Sequence, residues 1–143
     1  MRIADVIRAK ARPDVVTIRP DAGVRQLLAA LAEHNVGALV VSTDGNTVEG
    51  IVSERDVVRR LHQDGTVVDN VVAAIMTADV ATCPPDTDLD ELMQTMTDRR
   101  IRHVPVVEGG RLVGIVSIGD VVKHKIGQLQ FERDQLDSYV HHS

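Results

Sequence analysis

The sequence predicts an α/β (α+β) fold in which two β-α-β-β-α repeats pack with pseudo-twofold symmetry, followed by an extended C-terminal helix. Three observations carry this reading. First, the chain repeats itself: Asp14-Val15-Val16-Thr17-Ile18-Arg19-Pro20-Asp21 matches Asp79-Val80-Ala81-Thr82-Cys83-Pro84-Pro85-Asp86 at an offset of 65 residues. Gly50-Ile51-Val52-Ser53-Glu54-Arg55-Asp56-Val57-Val58 likewise matches Gly114-Ile115-Val116-Ser117-Ile118-Gly119-Asp120-Val121-Val122 at 64, and such internal similarity decides the architecture before any single element does. Second, each copy alternates short β-branched runs with segments of helical spacing. Third, 143 residues with 43% hydrophobic and 26% charged content suit one compact globular unit. Phe131 and Tyr139 are the only aromatic side chains, so the core is aliphatic and any bound ring would lie between aliphatic side chains.

In chain order, Val15 to Ile18 reads as a short strand ended by Pro20-Asp21, a turn and helix-start signal. Val24, Leu27, Leu28 and Leu31 recur at helical spacing, as do Leu89, Leu92, Met93 and Met96 in copy two. A β-hairpin follows in each copy. In copy one it runs Ala38 to Val41, the turn Asp44-Gly45-Asn46, then Val48 to Val52. In copy two it runs Val104 to Val107, Glu108-Gly109-Gly110, then Leu112 to Val116. A last helix starts after Ser53 or Ser117, and Val67 to Met76 is expected to form a short linking helix. The expected organisation is repeat one with an N-terminal helix over 1–66, linking helix and repeat two over 67–125, and a helical extension over 126–143. Two three-stranded sheets that cannot bury their faces alone would pack face to face, leaving two quasi-equivalent clefts.

Beyond the repeat, Val122, Ile126, Leu129, Arg133, Leu136 and Val140 step by four, three, four, three and four, a heptad seam carrying one Arg. It reads either as an amphipathic helix packed on its own core or as a dimer contact; a homodimer is the expectation.

A net charge of −5 supplies no basic field, which argues against nucleic-acid binding. The lone Cys83 forms no internal disulfide and reads as a small buried residue. With no apolar run of signal-peptide or membrane-spanning length, the expectation is a cytoplasmic protein that contacts no membrane. Histidine and cysteine spacings fit no metal motif, and neither a P-loop lysine motif nor a dinucleotide fingerprint occurs. No catalytic or metal site is therefore expected, and no obligatory cofactor.

Ser53 to Asp56 and Ser117 to Asp120 each place a Ser three residues before an acid at a strand-to-helix junction, the pattern of a helix N-cap with a capping-box partner. Gly50 and Gly114 suit strand positions where a missing side chain admits a close approach. Arg99, Arg100, Arg102 and His103 concentrate positive charge in an acidic chain, whereas the positions matching Arg102 and His103 in copy one are Gly37 and Ala38. Thr17 and Thr82 occupy the same place in the first strand of each copy, where Thr is favoured for packing alone.

The paired Gly-Ile-Val-Ser-x-x-Asp segments, with Ile101-Arg102-His103-Val104-Pro105-Val106-Val107 between them, resemble a tandem cystathionine-β-synthase (CBS) domain pair, or Bateman module, over roughly residues 1 to 125. The resemblance implies a non-catalytic regulatory module binding adenosine-containing ligands such as AMP, ADP, ATP, NAD(H) or S-adenosylmethionine and signalling to a regulated protein. It implies that the helix N-terminus and Ser hydroxyl meet phosphate or ribose, that the Asp carboxylate accepts from ribose hydroxyls, and that backbone near the Thr reads the adenine edge. One cleft would combine Thr82, Gly37, Ala38, Ser53 and Asp56. The other would combine Thr17, His103, Val104, Ser117 and Asp120, with Arg102 and His103 serving phosphates in either. The competing reading is a ligand-independent dimeric adaptor with degenerate clefts.

Overall fold

The computed structural model describes residues 1–10 and 15–142; Asp14, where the repeat match begins, lies outside them. Helix α1 (Ile3–Arg8) precedes copy one, which comprises β1 (Thr17–Ile18), α2 (Val24–His34), β2 (Ala38–Val41), β3 (Gly50–Ser53) and α3 (Glu54–Gln63). Copy two comprises α4 (Leu89–Arg99), β4 (His103–Glu108), β5 (Arg111–Ser117) and α5 (Ile118–His142), the last a single 25-residue helix.

The expected helices form because their apolar residues share one face. Val24, Leu27 and Leu31 of α2 are buried with Leu39, Val41 and Val52 in one core, while Leu28 stays 36% exposed. Leu89, Leu92 and Met96 of α4 are buried with Cys83, Val104, Val106, Val116 and Val121 in the other. The repeat is visible in the strand register, since Ala38 pairs with Ser53 as His103 pairs with Ser117. Both serines thus stand at equivalent places, each ending its strand at the start of a helix.

The segments leading into the two copies are exchanged. Thr77, on the way into copy two, makes reciprocal backbone hydrogen bonds of 2.8 and 2.9 Å with Ile51 of copy one. Conversely, Ile3 and Val6 of α1, on the way into copy one, are fully buried in the core of copy two. The close approaches at the two strand glycines are made by these segments. A Cβ at Gly50 would stand 2.8 Å from the Met76 sulfur, and one at Gly114 would stand 2.8 Å from Cδ1 of Ile7.

Three expectations need correction. The second sheet has only two strands, and the run before Pro84-Pro85 joins it through a single parallel bridge, Cys83 to Val106. In copy one, Val40 pairs with Ile51 and bridges Thr17 on its other side. Pro105 takes Val40's place in copy two and has no N–H to offer the first strand, so the bridge at Thr82 is lost. Second, Val67 to Met76 forms two 3₁₀ turns, Val67–Asp69 and Val72–Ala74, instead of a helix. Its backbone is drawn into bonds with the start of α2: Val72 and Ala73 N–H donate to the Ala22 and Pro20 carbonyls, and Asn70 O accepts from Val24 N–H. Third, the copy-one turn is a wider loop in which Asp44 Oδ1 accepts from the N–H groups of Asn46 and Thr47, so β3 starts only at Gly50. The second hairpin keeps its tight turn, with Glu108 opposite Arg111 and both Gly109 (φ 59°) and Gly110 (φ 78°) in the left-handed region.

Candidate ligand cleft

Both Ser–Asp pairs form capping boxes. The Ser53 N–H and Oγ–H donate to Asp56 Oδ2 at 2.8 and 3.0 Å, and the Asp56 N–H donates back to Ser53 Oγ at 3.2 Å. In copy two the Ser117 N–H donates to Asp120 Oδ2 at 3.0 Å and the Asp120 N–H to Ser117 Oγ at 3.1 Å. Among the described residues, Oδ1 of Asp56 accepts no hydrogen bond. The cap therefore orients each carboxylate without using it up, and the remaining oxygen can accept from a hydroxyl.

A cleft of about 300 Å³ opens beside the Ser53 cap, lined from copy one by Gly37, Ala38, Ile51, Ser53 and Asp56. Copy two contributes Arg100, Ile101, Arg102 and His103, and the connecting segment adds Asp79, Val80 and Ala81. Of the predicted residues, the structure thus brings together Gly37, Ala38, Ser53, Asp56, Arg102 and His103. Exposed Thr82 stands one residue beyond the lining segment. His103 lies against Gly37, its Nε2 3.8 Å from where a Cβ would project.

Thr17, Val104, Ser117 and Asp120 lie apart from this cleft. Val104 is buried in the second core, so only its backbone can meet a ligand. Asp120 already has a cation: Lys10 Nζ stands 2.9 Å from its Oδ2 and donates to the Ile115 carbonyl at 2.7 Å. Burial alone would raise the Asp120 pKa, but the Ser117 N–H and the Lys10 ammonium outweigh it and hold the carboxyl below its ordinary value. Burial pushes His103 below the usual imidazole range, with Lys10 and Arg102 adding to the shift and Asp120 and Glu54 opposing it.

Sequence reasoning missed Arg55 and Arg59, which line the cleft from the first two turns of α3. Their i, i+4 spacing just past the Ser53 cap was the available signal. Arg100 is also part of the lining, whereas Arg99 is not. Arg100 ends α4 in the left-handed conformation at φ 55°, where Asn35 ends α2 at φ 51°. Asn suits that cap and Arg does not, a local strain of about 1 kcal/mol at the mouth of a cleft. The arrangement joins a helix N-terminus, a hydroxyl-accepting carboxylate and apolar walls from Ile51, Val80 and Ile101. Four guanidiniums border it against the three carboxylates of Glu54, Asp56 and Asp79, a cationic excess of one that suits an amphipathic anion.

Known proteins share this fold. The chain is 42% identical to a CBS-domain-containing protein of Agrobacterium tumefaciens of known structure, with a TM-score of 0.82 covering 87% of this chain and 99% of that one. It is 35% identical over 146 residues to the mitochondrial CBS domain-containing protein CBSX3 of Arabidopsis thaliana, covering 96% of this chain and 71% of the relative. The CBS domain pair of protein MJ0100, solved in complex with 5′-methylthioadenosine and S-adenosyl-L-methionine, aligns at 25% identity and a TM-score of 0.77 over 90% of this chain and 98% of that one. The CBS domain profile itself matches twice, at residues 3–63 and 72–127, and the chain belongs to the CBS-domain family as a tandem pair.

Proposed function

We propose that this protein is a non-catalytic sensor that binds a phosphate-bearing adenosine nucleotide (AMP, ADP, ATP or NAD(H)) in the cleft beside Ser53 and passes its occupancy to a partner protein, acting as a homodimer. The observation that carries this reading is the convergence of Arg55, Arg59, Arg100 and Arg102 on a cleft that also holds the Ser53–Asp56 cap. In it, Asp56 Oδ1 accepts from the ribose, the base lies between Ile51, Val80 and Ile101, and the guanidiniums hold the phosphates. The adenosine ligands of the MJ0100 domain pair support the ligand class. The four guanidiniums outnumber the three carboxylates of the lining and favour phosphorylated members of that class over S-adenosylmethionine, whose sulfonium is itself a cation.

A thermal-shift panel of adenosine, AMP, ADP, ATP, NAD, NADH and S-adenosylmethionine tests this. A ligand at 100 times its dissociation constant should stabilise the fold by about 2.7 kcal/mol. AMP, ATP or NAD should shift the melting curve well beyond adenosine or S-adenosylmethionine. If none does, the ligand-independent adaptor reading replaces this one.

A further inference from the structure

From α5 we infer the orientation of self-association: two chains pair through α5 as an antiparallel coiled coil centred near residue 131. This rests on the homodimer reading and specifies how the copies meet. The first turns of the helix serve its own chain. Val121 is fully buried, and Lys125 is tied to Asp90 of α4 at 2.9 Å. The heptad seam faces another way, with Val122, Ile126, Leu129 and Leu136 at 43, 51, 51 and 64% exposure.

The pattern of that seam selects a second copy and its direction. Reversed against itself, it places Val122 opposite Val140, Ile126 opposite Leu136 and Leu129 opposite Arg133, so every layer falls into register at once. Run parallel, it would set Arg133 against Arg133 in the seam and Glu132 beside Asp137 on its flank, like charges in contact. The antiparallel arrangement instead sets exposed Lys123 against exposed Asp137 at both ends of the pair. The antiparallel arrangement brings the two copies of Glu132 together near its centre, but it keeps the two Arg133 side chains apart, each opposite Leu129 of the other chain, and it closes as a twofold dimer.

Cysteine cross-linking reads the direction. Residues 126 and 136 are separated by about 15 Å along a helix, so each is out of disulfide reach of its own copy in an antiparallel pair. Under mild oxidation, an equimolar mixture of Ile126→Cys and Leu136→Cys chains should cross-link, while each variant alone stays at the level of the parent, whose Cys83 is buried. Self-cross-linking of either single variant would overturn the orientation. A parent that is dimeric by light scattering with no cross-link in the mixture would place the dimer contact elsewhere, and a monomeric parent would remove the homodimer reading as well. Two further variants read the same interface without cysteine. Arg133→Leu should tighten dimerisation roughly tenfold by replacing a seam charge with an apolar side chain. Asp137→Lys should weaken it roughly fivefold, with Lys123→Asp restoring it; no change in either would sink the pairing.

Discussion

The two halves carry the same Ser–Asp cap at the same strand register, yet matching positions around the repeat differ in charge, Arg59 and Lys123 excepted. Arg55 and Arg59 of α3 correspond to Gly119 and Lys123 of α5, and Arg100, Arg102 and His103 correspond to Asn35, Gly37 and Ala38. Asp56 stands in the cleft bordered by this basic set, while Asp120 is ion-paired with Lys10 from the segment after α1. Repetition thus preserved the scaffold, which packing requires, and let the residues around the caps diverge. Asp56 makes no ion pair among the described residues, whereas Asp120 pairs with Lys10.

The largest effect expected from this contrast is on affinity. Asp56→Ala should weaken adenosine and AMP alike by about 1.5–3 kcal/mol, the usual worth of a hydrogen bond to a charged group, whereas Asp120→Ala should leave binding in the first cleft nearly unchanged. Isothermal titration of both variants decides it, and equal losses would erase the distinction between the clefts. Next in size, Arg102→Ala should weaken AMP about tenfold, more at low salt where the charge is poorly screened, and leave adenosine untouched. If AMP binds this variant as tightly as the parent, the basic cluster is a solvated face.

The partnered side should respond in stability. Lys10 and Asp120 are each 27% exposed, so Lys10→Met, which keeps the aliphatic stem, should cost about 1 kcal/mol and lower the melting temperature by a few degrees. The Asp120 pKa is depressed in the folded state, so its contribution is complete above the ordinary carboxylate value and disappears as pH falls through the lower folded value. Denaturation midpoints across the acid range should therefore fall less steeply for Lys10→Met than for the parent. An unchanged slope would mean the pair contributes nothing.

The smallest effect belongs to His103, whose folded pKa is also depressed. Its contribution is complete above the ordinary imidazole value of 6.5 and is lost as pH falls below it. The parent should lose stability on acidification from neutrality, and His103→Gln should lose less. A bound phosphate would favour the imidazolium, so AMP binding near neutral pH should take up protons; titration in buffers of different ionisation enthalpy measures that uptake.

Much of this was legible in the residues. The offset repeat and the Ser-x-x-Asp caps follow from local chemistry, so the strand-to-helix junctions at Ser53 and Ser117 could be read directly. Gly109-Gly110 announced its own tight turn. Pro105 also carried a readable signal, a proline in the strand that should pair on both sides, and it explains why the second sheet stops at a single bridge. The Val67 to Met76 stretch was harder, because its apolar spacing suits a helix until the start of α2 competes for the same backbone groups.

The sequence alone determined the repeat, the caps, the aliphatic core and the heptad spacing of α5, because each depends on residues close together in the chain. Only the tertiary structure decided that the leading segments are exchanged, so that Met76 fills the space at Gly50 and Ile7 fills it at Gly114. Only it brought Arg55 and Arg59 of one copy to face Arg100 and Arg102 of the other, and Lys10 to Asp120 across 110 residues. These contacts join distant segments whose meeting depends on how the two sheets pack, and no local preference encodes that packing.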